Sequence, residues 1–190
     1  PAAIWGQHKN IPSTSDQYAI AYHDLHENFK NYQDTILLID KGTKKVSSTV
    51  GHELMHNHPF SKQRFSQANI NLESMINVLK NGDFIEFISI SESEALTLHA
   101  MMMTSNPYFI LMKQGTLSVI EKIWSFRSDS KIPLSFTLDA GANVHLLYPL
   151  AYKQQVLDFI GSELIVFCQN QQYIRDEVGS GANIISASYA

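Results

Sequence analysis

The tripeptide Asn81-Gly82-Asp83 divides two long stretches of helical character, and no other feature constrains the fold of this chain as strongly. Before it, Phe65, Ala68, Ile70, Leu72, Met75, Ile76 and Leu79 recur mostly at three- and four-residue intervals. That spacing predicts a helix from about Ser61 to Leu79. The tripeptide ends this helix and supplies a cap for a second one, which runs to about Met103. Asn106-Pro107 is a break. A third helix is expected over roughly Leu111 to Arg127, with Leu117, Ile120, Ile123, Trp124 and Phe126 as its apolar positions.

Strand signals lie on both sides of these helices. The run from Asp34 to Asp40 is short, apolar and bounded by charge and Lys-Gly, so it reads as a buried strand followed by a turn over 41–45. Leu134 to Leu138 alternates like a strand and enters a sharp turn, Asp139-Ala140-Gly141-Ala142-Asn143, before a partner strand over Val144 to Leu147. A helix over Leu150–Ile160 and strands over Leu164–Cys168 and Gln172–Val178 follow, then a turn at Gly179-Ser180-Gly181 and a weakly structured tail. Strands and helices are interleaved without strict βαβ alternation, which predicts the α+β class. Residues 1–33 are mixed in character, and the start at Pro1 reads as the middle of a longer polypeptide.

Composition narrows the function classes. Of 190 residues 44% are hydrophobic, enough for a packed core. Fourteen Lys and Arg against eighteen Asp and Glu give a formal net charge of −4, which argues against binding nucleic acid or an anionic membrane by bulk electrostatics. No apolar run reaches the roughly 20 residues a membrane span requires, and no signal peptide is visible, so a cytoplasmic protein is expected. The single cysteine, Cys168, excludes an internal disulfide and reads as a buried, inert thiol.

Three places offer chemistry. Ser47, Ser48, Thr49 and Gly51 precede a helical stretch, where free N–H groups and the helix dipole favour an anion; the same residues also suit an ordinary N-cap. Overlapping them, His52-Glu53-Leu54-Met55-His56 matches the H-E-x-x-H pattern of zinc hydrolases. On one helix His52 and His56 would hold the metal and Glu53 would act as general base. The third ligand is not selected: His58, Glu73 and Glu92 are the available residues, and Pro59 limits the helix. The alternative is two surface histidines one turn apart. Third, Asp139 follows a core strand and precedes small residues that permit close backbone approach, so it is either a carboxylate aimed into a cleft or a turn cap. His99 on an apolar helix reads more readily as a core histidine than a catalyst, and Met101 to Met103 as gap-filling core.

Taken together, four collinear segments resemble the diphosphomevalonate decarboxylases of the GHMP kinase superfamily. TILLIDKGTKKVSSTVG resembles that family's strand and S-S-T-x-G loop, and the long segment from Phe65 to Pro107 its helical pair with an H-A dipeptide. SFTLDAGAN resembles its D-A-G-P-N turn, and EVGSGAN its closing V-G-S-G-P turn. The likeness runs from about residue 34 to 181.

The resemblance implies a ferredoxin-like C-terminal domain over 34–190, an antiparallel sheet with helices on one face, preceded over 1–33 by a remnant of an N-terminal domain or a linker. It implies ATP-dependent decarboxylation of mevalonate 5-diphosphate or a related phosphorylated mevalonate: the tertiary 3-hydroxyl is phosphorylated, then phosphate and CO₂ are lost to give isopentenyl diphosphate. Asp139 would be the base or orienting carboxylate. Ser47, Ser48, Thr49 and Gly51 would lie near the substrate's phosphates, with Ala140 and Gly141 lining the substrate. ATP and Mg²⁺ are implied for the whole enzyme, together with a missing N-terminal domain and a homodimer as the usual assembly. The chain departs from the family pattern at His52, where Met is usual, and at Ala142, where Pro is usual. It also has no Gly/Ser-rich phosphate loop, so a piece this size is expected neither to bind ATP well nor to turn over alone. A zinc hydrolase is the second expectation, and a non-catalytic binding module that kept the fold is the third.

Overall fold

The computed structural model describes residues 2–42, 53–179 and 181. The chain begins with a short antiparallel ribbon of β1 (Ala2–Ile4) and β2 (Ile20–Tyr22) and a single helical turn, α1 (Glu27–Lys30). Strand β3 (Tyr32–Leu37) is followed by three long helices, α2 (Ser61–Asn81), α3 (Phe84–Met103) and α4 (Gln114–Ser130). Then come β4 (Ser135–Leu138), β5 (Val144–Pro149), the helix α5 (Lys153–Phe159) and β6 (Tyr173–Glu177). The four later strands form one antiparallel sheet in the order β4-β5-β3-β6. Helices join β3 to β4 and β5 to β6, and the two halves interlock in the sheet; this is the ferredoxin-like arrangement.

The division at Asn81-Gly82-Asp83 has a clear local cause. Gly82 takes a left-handed conformation (φ 79°) and its N–H donates to Val78 O at 2.9 Å, closing α2. The Asp83 carboxylate accepts from the N–H groups of Ile85 (2.9 Å) and Glu86 (3.1 Å), opening α3. A side chain at position 82 would also collide with α1: a Cβ there would stand 2.7 Å from His26 Cε1 and 2.8 Å from Asn28 Nδ2.

The alternation of the strands sends two sets of residues to opposite faces. On one face Leu37, Phe136, Leu138, Val144, Leu146 and Tyr148 pack beneath Val119, Ile120 and Ile123 of α4 and Val156, Phe159 and Ile160 of α5. Full burial of each such side chain is worth about 1.5–3 kcal/mol, so this face is the main core. The other face is covered only at one end. There Tyr32 and Leu147 sit under Phe29, Val78, Phe84, Phe87 and Ile90, while Asp34, Ile36, Thr137 and His145 remain half-exposed. Helix α3 reaches both clusters along the β4 edge and is strapped to α4 by Glu92. Glu92 is only 8% exposed; its carboxylate pairs with Arg127 and accepts from Trp124 Nε1 at 2.9 Å.

Two expectations are corrected. Leu164–Cys168 is not a strand: Ile160–Leu164 continues α5 as a wide turn and Ile165–Phe167 is a 3₁₀ turn. Leu164 and Cys168 still reach the core, and burial raises the thiol's pKa, as an inert cysteine requires. A short run that is apolar at every position, including the exposed Val166, leaves no periodicity to tell strand from helix. Several expected apolar positions are also exposed, Phe65 at 54% and Ile70 at 61% among them, because α2 buries only its C-terminal end. Met101 and Met102 are core as expected, whereas Met103 is exposed. No described helix is long and apolar enough to cross a membrane.

Gly82→Ala is expected to cost at least about 1–2 kcal/mol from the left-handed backbone alone, with the displacement of His26 in addition. Denaturant unfolding should show a lower midpoint at an unchanged slope.

Candidate functional site

The turn between β4 and β5 is held from three directions. Strand pairing brings Leu138 opposite Val144, so residues 139–143 must reverse the chain in one tight loop. Its Asp139 carbonyl accepts from the N–H of Gly141 (2.6 Å) and faces Nε2 of His99 on α3 at 3.2 Å. A carbonyl only accepts, so Nε2 carries the proton. His99 is 1% exposed, and burial lowers its pKa against the smaller, opposite influence of Asp139, which keeps the ring neutral near pH 7. From α4, the wholly buried Thr116 hydroxyl donates to Ala142 O at 2.6 Å. From the end of β3, the N–H of Asp40 donates to Asn143 Oδ1 at 3.1 Å. Asp139 itself is exposed on this tethered turn.

His99 therefore has a defined contact at the site, which its sequence context did not reveal. Ala140 and Gly141 are half-buried in the same turn, and Ala142 is buried where the family pattern has Pro. The Asn143 contact has a further consequence: the chain leaves β3 beside the turn at Asp40 and proceeds toward the hydroxyl-rich loop. Ser47, Ser48, Thr49, Gly51 and His52 lie outside the described residues.

The zinc reading gains no support from its described members. Helical structure stops at Glu53, and the next N–H groups turn back by three residues, His56 to Glu53 O and His58 to Met55 O, both at 3.3 Å. A zinc-binding helix would need to continue through His56. The nearby ligand candidates are engaged elsewhere. His58 is buried, with Nε2 3.1 Å from Thr104 Oγ1 and Nδ1 accepting from Phe60 N–H at 3.1 Å. Glu73 meets His8 and Asn10, and Glu92 is held by Arg127 and Trp124. Among the described residues no group of three or more His, Cys, Asp or Glu side chains is placed to hold a metal ion.

Sequence reasoning missed one feature of this face. Asp34 on β3 and His145 on β5 form an ion pair, with Nδ1 at 2.9 and 3.2 Å from the two carboxylate oxygens. The bond to Asp34 is the largest influence on the imidazole and raises its pKa; the charges of Asp34 and Asp139 add to it, and partial burial opposes it. No spacing along the chain links residues 34 and 145. Only the β3–β5 register, in which Ile36 faces His145 and Asp34 faces Leu147, makes them diagonal neighbours.

Comparison with known proteins follows the same geography. The profile of the "Mevalonate 5-diphosphate decarboxylase C-terminal domain" matches residues 35–187, from β3 through the tethered turn and beyond β6. A phosphomevalonate decarboxylase of Haloferax volcanii is 26% identical over 94 residues, 50% of this chain and 29% of that protein. The mevalonate diphosphate decarboxylase of Staphylococcus aureus superposes with a TM-score of 0.78 at 26% identity, covering 90% of this chain and 51% of that one. That of Legionella pneumophila gives a TM-score of 0.74 at 26% identity, covering 85% and 49%. The Enterococcus faecalis enzyme, whose structure is described in terms of "mevalonate diphosphate mediated ATP binding", shares the fold with a TM-score of 0.75 at 21% identity, covering 91% and 50%. The chain thus spans about half the length of these solved relatives. With the profile covering most of its length, the chain belongs to the mevalonate 5-diphosphate decarboxylase C-terminal domain family.

Proposed function

We propose that residues 34–190 form the C-terminal domain of an ATP-dependent decarboxylase acting on a phosphorylated mevalonate, with residues 1–33 belonging to the preceding domain or a linker. The observation that carries this reading is the tethered 139–143 turn. It presents an exposed carboxylate on a backbone fixed by His99, Thr116 and Asp40, beside the point where the chain leaves for the 47–51 loop. The separate β1–β2 ribbon, which joins no strand of the main sheet, supports a division of the chain after β2, while Phe29 and Tyr32 already pack with the later helices.

The chemistry asks two things of this half. As a phosphoryl group is transferred to a tertiary hydroxyl, the hydroxyl proton has to leave, and an ionised carboxylate within reach of that oxygen is a competent acceptor or orienting group. Asp139 fills that role. The phosphates of the substrate must also be held at a fixed distance from the carboxylate, and we assign this to Ser47, Ser48, Thr49 and Gly51, with Ala140 and Gly141 allowing close backbone approach. ATP with Mg²⁺ supplies the phosphoryl group when bound. This chain has no glycine-rich phosphate cradle, so the nucleotide site belongs to the other half of the enzyme. A homodimer is the expected assembly.

In the full-length protein, Asp139→Asn should lower kcat for decarboxylation by roughly 10²–10⁴-fold, measured as CO₂ release with the mono- and diphosphate of mevalonate in parallel. Unchanged turnover would remove Asp139 from the mechanism, and the ratio of the two wild-type rates identifies the substrate. Thr116→Val, which keeps the shape and deletes the hydroxyl, should cost about 1–2 kcal/mol of stability by leaving the Ala142 carbonyl unpaired and should reduce kcat more than KM. Elemental analysis should find no stoichiometric zinc; stoichiometric zinc that disappears in His56→Ala would support the hydrolase instead.

A further inference from the structure

We propose that the outer face of the β1–β2 ribbon, formed by Ala3, Trp5, Ala19 and Ala21, is the surface on which the other half of the enzyme docks, with Trp5 as the anchor of the contact. This rests on the functional reading above, in which a nucleotide-binding half accompanies the chain, and it names where the two halves meet.

The residues of the two strands demand a cover on both faces. Pro1 to Trp5 and Tyr18 to Tyr22 are unbroken runs of apolar and aromatic residues. A sheet with one face in water alternates apolar and polar residues, whereas a strand covered on both faces reads as a continuous apolar run. Both strands are of the second kind. The register puts Ile4 opposite Ile20 and Ala2 opposite Tyr22 on one face and Ala3 opposite Ala21 on the other, which Trp5 and Ala19 join by alternation. On the inner face Ile4 is only 8% exposed. On the outer face Ala3, Ala19 and Ala21 are exposed and Trp5 is 71% exposed. Strand β6 is the contrast: it is exposed on both faces and carries Arg175, Asp176 and Glu177, as a strand in water does.

The inner side ties the ribbon to this half of the enzyme. In the loop between the strands, His8 Nδ1 accepts from the N–H of Asn10 at 3.2 Å, so Nε2 carries the proton and donates to Asn69 O at 3.3 Å. Asn10 donates to Glu73, the Tyr22 hydroxyl to Ile76 O at 3.1 Å, and the N–H of His26 to Leu79 O at 2.8 Å. Positions 69, 73, 76 and 79 recur at intervals of three and four residues, which makes them one stripe of α2. The ribbon is thus pinned along the C-terminal half of that helix with its alanines and Trp5 turned away from it. Extent and chemistry together select the occupant. The chain spans about half the length of its solved relatives. On the reading above the remainder precedes β1, and covalent linkage keeps it at high effective concentration beside this face. Three alanines around one indole make a flat, uncharged surface, which suits a close-packed apolar layer with a tryptophan at its centre and offers no charge to an anionic ligand.

The test is hydroxyl-radical footprinting of the full-length protein, with mass spectrometry reading the oxidation rate of each aromatic residue relative to the unfolded chain. Trp5, desolvated as an interface anchor, should be oxidised roughly tenfold more slowly than in the unfolded chain. Tyr108, 80% exposed, and the wholly buried Tyr148 serve as open and closed references. A Trp5 as little protected as Tyr108 overturns the inference. Protection that disappears on dilution to monomers assigns the face to a second copy and overturns it as well. Ala21→Glu sets a charge in the contact: Trp5 should then approach its unfolded rate while Tyr148 stays protected, and a Trp5 that remains protected counts against the docking face. Should Ala21→Glu fail to fold, the wild-type footprint decides alone. A wild-type protein that decarboxylates neither mevalonate phosphate overturns the functional reading, while the footprint still decides whether the rest of the polypeptide covers this face.

Discussion

The pairing of β5 with β3, in one register, governs this molecule. Leu37 opposite Val144 and Thr35 opposite Leu146 turn Leu146 and Tyr148 inward, where the buried Tyr148 hydroxyl meets Thr35 Oγ1 at 2.7 Å. A slip of one residue would turn every side chain of the strand to the other face. It would expose Val144, Leu146 and Tyr148, bury His145 away from Asp34, and move the start of the 139–143 turn away from the end of β3. Core packing and site geometry are thus set by the same hydrogen-bond ladder.

The helices make that ladder useful. α4 and α5 cover one face completely, and α3 runs along the β4 edge so that its far end puts His99 under the turn. The strap from Glu92 to Arg127 and Trp124 fixes α3 against α4, and with it the relation between His99 and Thr116, the two helix residues that hold the turn. A carboxylate on a loop free to move would be a poor proton acceptor, because its distance to a hydroxyl would fluctuate by more than a hydrogen bond tolerates. Here the loop's backbone is anchored by buried groups while Asp139 stays at the surface. The open half of the second sheet face, with Asp34, Thr137 and His145, is the surface this anchoring leaves beside it.

Much of this was legible along the chain, for identifiable reasons. The α2–α3 division at Gly82, the stop at Met103 and the β4–turn–β5 unit follow from local chemistry: a left-handed glycine, an aspartate cap and strict alternation. Asp139 stood out because a carboxylate between a core strand and Ala-Gly-Ala has a short list of uses. The stretch from Leu164 to Cys168 carries no period that separates strand from helix, because its side chains are apolar whether they face the core, like Leu164, or solvent, like Val166. The apolar residues of α2 suggested burial that the fold does not provide: only the end near Val78 enters an apolar cluster, while Arg64, Gln67 and Asn71 meet α3 through polar contacts.

The sequence by itself determined the α+β class, most helix ends, the inert cysteine and the candidate carboxylate, each a property of residues within a few positions of one another. Tertiary structure alone decided that His99 supports Asp139 across 40 residues, that Thr116 holds Ala142 across 26, and that Asp34 meets His145 across 111. These contacts depend on strand register and helix placement, and those are settled by the burial of the whole core rather than by any local signal.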